Sequence, residues 1–141
     1  MATEHNLQRF LDAQATDYAA ALAEIKNGRK RSHWMWYIFP QIQGLGFSEI
    51  SKHYAIKDIA EAEAYFQHPV LGSRLVEICH ALLGLEGTDA NRIFGSPDDL
   101  KLKSSMTLFA ALPDANPVFQ VVLAKFFKGI ADDKTLRILG R

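Results

Sequence analysis

Two short stretches of this chain carry residue types that could do chemistry. The first begins with Arg29, Lys30, Arg31 and His33, cationic or donor side chains within five positions. It runs on into Trp34 and Trp36, whose indoles can stack on a flat ligand, and Gln41 belongs to the same candidate set. Gly44 and Gly46 let the backbone approach a ligand closely. Ser48 would open a helix whose free N–H groups favour phosphate. Together these residues describe a pocket for an anion joined to a flat ring. Gly-x-Gly spacing alone is a weak signal, and the stretch is not a P-loop. The plainer alternative puts the indoles and Phe39 in the core, where aromatics usually bury, and leaves the arginines in solvent.

The second stretch is Asp98, Asp99, Lys101, Ser104 and Ser105. On a helix Lys101 neighbours both serines, at spacings of three and four. A lysine beside a serine can activate it as a nucleophile when burial lowers the amine's pKa. The order Lys-x-x-Ser nevertheless reverses the known Ser-x-x-Lys motif. The plainer alternative has both aspartates complementing a helix dipole and the serines bonding back to the preceding turn. Asp98, Asp99, Lys101 and Ser105 are the catalytic candidates. Arg74 and Tyr54 could join either group, though their spacing carries no signal.

Metal chemistry has little support. His5, His33, His53, His68 and His80 show no ligand spacing, and one cysteine cannot build a zinc-thiolate site. Asp98-Asp99 could hold Mg²⁺ only with a phosphate ligand, so no metal site is assigned. Cys79 sits within an apolar helical stripe and reads as an inert core thiol.

Helices must position these groups. Leu7, Phe10, Leu11, Tyr18, Leu22 and Ile25 follow helical spacing, and Asn27-Gly28 supplies a stop. Residues 29–47 are irregular. Their Trp34–Phe39 centre reads as either a short strand, with both indoles on one side, or a buried helical turn. Ser48 can cap a helix towards His53, and Asp58 with Glu61 has capping-box spacing. His68-Pro69, Ser96-Pro97 and Asn116-Pro117 each read as a helix start with proline at the first position. Leu75, Ile78, Leu82 and Leu85 form one apolar stripe, and Asp132–Leu139 reads as a last helix. The expected fold is all-α or mainly α, a single domain over 1–141 of about six helices. A small sheet is the alternative, since residues 118–127 are rich in β-formers.

The chain's 141 residues include 16 basic and 16 acidic side chains, and 48% of residues are apolar. That excludes a disordered chain, which needs low hydrophobicity and high net charge. No run approaches the roughly 20 apolar residues of a membrane span, and no signal peptide is recognisable. A single cysteine fits a reducing cytosol. The zero net charge conceals an asymmetry. The 24 residues from Ile25 to Ser48 contain four basic side chains and no acid, leaving 12 basic against 16 acidic elsewhere. Both tryptophans fall in that basic stretch. With a pI near 7.0, it is too short an electrostatic footprint for duplex nucleic acid.

Ser32-His33-Trp34-Met35-Trp36-Tyr37-Ile38-Phe39-Pro40-Gln41, followed by Gly44-Leu45-Gly46, resembles the signature of family 1810 of the domains of unknown function, a bacterial and fungal family. The same pattern takes in Tyr54-Ala55-Ile56, His68 to Gly72, Ile93-Phe94-Gly95, Asp98 to Phe109 and Phe126 to Gly129. The resemblance covers nearly the whole chain and implies a small, mainly helical cytoplasmic domain. It brings no substrate, reaction or catalytic residue. Members often carry the label "calpastatin family protein". A calpastatin-like inhibitor is a disordered chain of low hydrophobicity, so the label finds no support in these residues.

The sequence therefore points to a small-ligand protein, either a binder or an enzyme, acting on an anionic and nucleotide-like metabolite. Arg29, Lys30, Arg31 and His33 would hold the anion, Trp34 or Trp36 would stack, and Asp98, Asp99, Lys101 and Ser105 would form the far wall. No cofactor is indicated. The alternative is a non-catalytic module whose aromatic loop docks a protein or peptide through exposed Trp and Arg anchors.

Overall fold

The computed structural model describes residues 6–141; of the sequence features above, only His5 lies outside them. The chain is mainly helical, with nine helices among the described residues. α1 (Gln8–Lys26) presents Phe10, Ala21 and Ile25 to the core at the spacing expected from the sequence, and Gly28, at φ +79, ends it. α5 (Leu71–Leu83) packs on α1, α4 (Ile59–Gln67) and α8 (Pro117–Phe127), and α8 also packs on α7 (Asp98–Ala110). α7 is the central helix: Leu102 and every residue from Ser104 to Phe109 are buried. One apolar core joins all of these, with Phe10, Tyr65, Phe109 and Phe119 forming an aromatic chain at centroid separations of 5.0–5.5 Å.

The expected count of about six helices was too low, and no strand forms among the described residues. Residues 34–39 make a helical turn, α2 (Met35–Ile38), and 118–127 belong to α8. Beyond the seven helical segments marked in the sequence, the chain forms α2, one of the two readings of residues 34–39, and α6 (Ala90–Phe94), of four and five residues, too short to show a helical period. α6 is capped by Asp89, whose carboxylate accepts the Asn91 and Arg92 N–H groups. The sole extended pairing here is a parallel bridge between Ile42 and Ile56, with Gln43 and Ile56 N–H donating to Ile56 and Gln41 carbonyls. It pins the loop after α2 to the segment following α3 (Glu49–Tyr54).

Two proline starts are shifted. α7 begins at Asp98 with Pro97 as its cap residue, because the Gly95 carbonyl takes the Asp99 N–H and the Pro97 carbonyl takes those of Leu100 and Lys101. α5 begins at Leu71, where the His68 imidazole Nδ1 accepts the Val70 and Leu71 N–H groups. Asn116 and Asp58 cap α8 and α4 as the sequence predicts, and Asp132, expected as the first residue of the last helix, instead caps α9 (Asp133–Ile138). No helix among the described residues is long and apolar enough to cross a membrane.

Candidate functional site

The two tryptophans lie two positions apart on one helical turn, so their side chains diverge. Trp34 enters the core, 1% exposed, against Phe39 and Phe94. Trp36 instead faces a surface cleft. The +4 stretch is fastened from outside by Glu24, whose carboxylate accepts the Arg31 and Ser32 N–H groups, the Ser32 hydroxyl and the Trp34 indole N–H. Burial alone would raise the Glu24 pKa. The hydrogen bonds from Ser32, Arg31 and Trp34 outweigh it and hold the carboxyl down at about 2.

The basic stretch and the start of α7 meet. Lys30, with a side chain only 7% exposed, donates to Asp98 Oδ2 at 2.9 Å, and Lys101 pairs with Asp98 Oδ1 at 3.1 Å. Each ammonium also stands over an indole: Lys30 Nζ is 5.0 Å from the Trp34 centroid and Lys101 Nζ is 5.0 Å from that of Trp36. Burial would raise the Asp98 carboxyl, but the hydrogen bonds and charges of the two lysines prevail and lower it. Asp98 is thus an internal bridge, and Lys30 is the buried cation that matches it.

Trp36 and Lys101 line one cleft of about 740 Å³, shared with Gly46, Phe47, Lys103 and Ile130. A second compartment of about 460 Å³ adjoins it, reaching to Ile42, Gln43, Gly44 and Tyr54. Trp36, Gln41, Leu45, Gly46, Phe47 and Ser51 belong to both. The loop glycines shape this wall. Gly44 has φ +105, a conformation that favours glycine. A Cβ on Gly46 would lie 2.5 Å from Ser51 Oγ, closer than any ordinary contact.

The remaining candidates are placed elsewhere. Arg29, Arg31 and His33 are exposed and line neither compartment, and Asp99 accepts from the Asn91 side-chain amide at 3.3 Å. Ser104 lines the cleft, but its hydroxyl donates to the Leu100 carbonyl at 3.1 Å. Ser105 is fully buried and its Oγ has no hydrogen-bond partner. Neither the Ser104 nor the Ser105 hydroxyl bonds Lys101, whose ammonium is directed to Asp98 instead. Ser48 Oγ accepts the Ser51 N–H, so the first turn of the six-residue α3 caps itself. Tyr54 joins the Trp36 cleft, whereas Arg74 packs over Tyr18 between α1 and α5. Cys79 is buried, and burial drives its thiol pKa far above the ordinary value. No three His, Cys, Asp or Glu side chains converge as a metal site among the described residues.

Sequence reasoning missed the far wall supplied by residues 130–134 and the exposed Phe47, Leu100 and Ile130 around the opening. Phe47 and Ile130 are solitary apolar residues on loops and Leu100 lies on the exposed side of α7, so none belongs to a period by which to find it.

Among solved structures, the chain is similar to the crystal structure of the conserved hypothetical protein Rv1873 from Mycobacterium tuberculosis. The two are 47% identical, with a TM-score of 0.94 over 96% of this chain and 97% of that one. No curated protein matches the chain. The family model described as "Protein of unknown function (DUF1810)" matches residues 4–139, and the chain belongs to that family.

Proposed function

We propose that this protein binds a small anionic, nucleotide-like metabolite in the cleft lined by Trp36 and Lys101, as a binder or as an enzyme acting on it. The observation that carries this reading is the meeting of an indole and an ammonium at one concave site, from segments 65 positions apart in the sequence. A cleft of about 740 Å³ is of the size that holds small molecules. Under this reading Lys101 and Trp36 bind the ligand, and Lys30 and Asp98 position Lys101. We place the protein, as a single domain, in a reducing cytosol, in keeping with its single, buried cysteine.

Thermal-shift screening against nucleotides, sugar phosphates and ADP-ribose-like compounds tests the reading. A ligand at a hundred times its Kd stabilises by about 2.7 kcal/mol. We expect at least one such compound to raise Tm by several degrees in the wild type, and Trp36→Ala and Lys101→Ala to lose that shift.

A second reading has its own support. Phe47 is 88% exposed, and Leu100 and Ile130, 57% and 58% exposed, line the same cleft. Such a patch suits a protein or peptide partner. If no compound stabilises the wild type and a partner is captured that Phe47→Ser no longer captures, the interaction module replaces the metabolite reading.

A further inference from the structure

We infer that the cleft is divided by the kind of group that lines each end, an amide in one and a cluster of lysines in the other. Its ligand is a neutral heteroaromatic ring joined to a phosphate, with the ring towards Gly44 and Tyr54 and the phosphate towards Lys101 and Lys103. This rests on the metabolite reading above and specifies its substrate class.

The two compartments share Trp36 but differ in what surrounds it. Both also carry Gln41, Leu45 and Ser51; the smaller alone adds Ile42, Tyr54 and the neutral amide of Gln43, and Lys52 is its one charged lining residue. Amides carry both donors and acceptors, the complement of a heteroaromatic edge. The larger compartment brings Lys101, Lys103 and Lys134 together with two carboxylates, Asp132 and Asp133. Asp132 Oδ2 is occupied by the Thr135 N–H and hydroxyl at 3.0 and 2.6 Å, as the cap of α9. Asp133 is exposed in the first turn of that helix.

The Asp98 bridge determines whether Lys101 has charge to offer. One carboxylate oxygen is taken by Lys30, buried and cationic, and the other by Lys101. Two lysines against one aspartate leave a surplus positive charge, and an ammonium has three donors, of which Asp98 uses one. Lys101 can therefore bind an anion without abandoning Asp98. It meets that anion over the Trp36 ring, where the two compartments join.

Gln43 lines only the smaller compartment and Lys103 only the larger. Gln43 is exposed, so its truncation spares the core. The test is titration of the full chain with the common nucleoside monophosphates, the parent nucleosides and ribose 5-phosphate. Lys103→Ala is expected to weaken the nucleotide and ribose 5-phosphate about tenfold, the scale of one lost charged hydrogen bond, and to leave the nucleoside unchanged. Gln43→Ala is expected to weaken the nucleotide and the nucleoside and leave ribose 5-phosphate unchanged. If a nucleotide binds but each variant affects both fragments alike, the divided cleft is overturned and the metabolite reading stands. If no nucleoside monophosphate binds the wild type, the divided cleft falls, and the metabolite reading falls with it only if no compound of the thermal-shift panel stabilises the protein either.

Discussion

Glu24 does more for the aromatic stretch than any residue within it. Its carboxylate collects four donors from Arg31, Ser32 and Trp34 and lies near the lower limit of carboxyl pKa values, at about 2 against an ordinary 4.5. A depressed folded-state pKa contributes stability that is complete above the unfolded value. That contribution should therefore be intact above about pH 4.5 and be lost as pH falls towards 2. Urea midpoints measured across this window should drop less steeply in Glu24→Gln than in the wild type. At pH 7 the same variant should cost about 1–3 kcal/mol through weakened hydrogen bonds. The sequence marks Glu24 only as the last acid before a basic run. Which donors it gathers depends on how the chain turns at Gly28, and side-chain spacing holds no record of that turn. The tryptophans teach a similar lesson. Their types indicate either stacking or burial, and the helical turn buries Trp34 while leaving Trp36 on the wall of the cleft.

At the scale of elements, α4 and α8 were legible because a capping residue precedes their apolar residues, and α1 and α5 through their apolar periods. Asn116 before α8 and Asp58 before α4 are local signals with local effects. Helix ends closed from a distance leave no such mark. The last turn of α5 is held by Lys125 of α8, whose ammonium donates to the Leu82 and Leu83 carbonyls at 3.2 and 3.1 Å and also to that of Leu85. Between 40 and 43 residues separate donor from acceptors, so only the packing of α8 on α5 brings them together. Lys125→Met keeps the aliphatic stem and removes the donors. It should lower stability by about 1–2 kcal/mol, as a lost helix cap does, measured as a lower urea midpoint with unchanged m-value. The same distance rule explains why the cleft was only partly foreseen: Trp36, Gln41, Gly44, Gly46 and Lys101 are named by type, whereas their pairing with one another is a product of the fold.

For the whole molecule, a net charge of zero arises from unlike regions, and the fold redistributes them again. Arg29 and Arg31 turn to solvent, Lys30 is spent inside on Asp98, and the lysines that reach the larger compartment come from α7 and α9. The wall formed by Ile130, Ala131, Asp132, Asp133 and Lys134 is anchored to α7, where the Asp132 N–H donates to the Thr107 hydroxyl at 2.9 Å. Farther along, the Ile138 side chain approaches Gly44 on the opposite rim. A chain ending at Gly129 should keep the far-UV helical signal of its larger helices and lose the ligand-induced thermal shift.

That wall gives the site a place in time as well as in space. A chain grows from its N-terminus at roughly 5–20 residues per second. The segment after Gly129 is made after α1 to α8, so the cleft is the last part of the fold to gain its full lining. On the metabolite reading, a core without this wall has no complete site, and the ligand can act only on the finished protein. Added ligand should accordingly leave the rate of core formation unchanged and slow only unfolding of the finished protein, a division that stopped-flow refolding and unfolding would resolve.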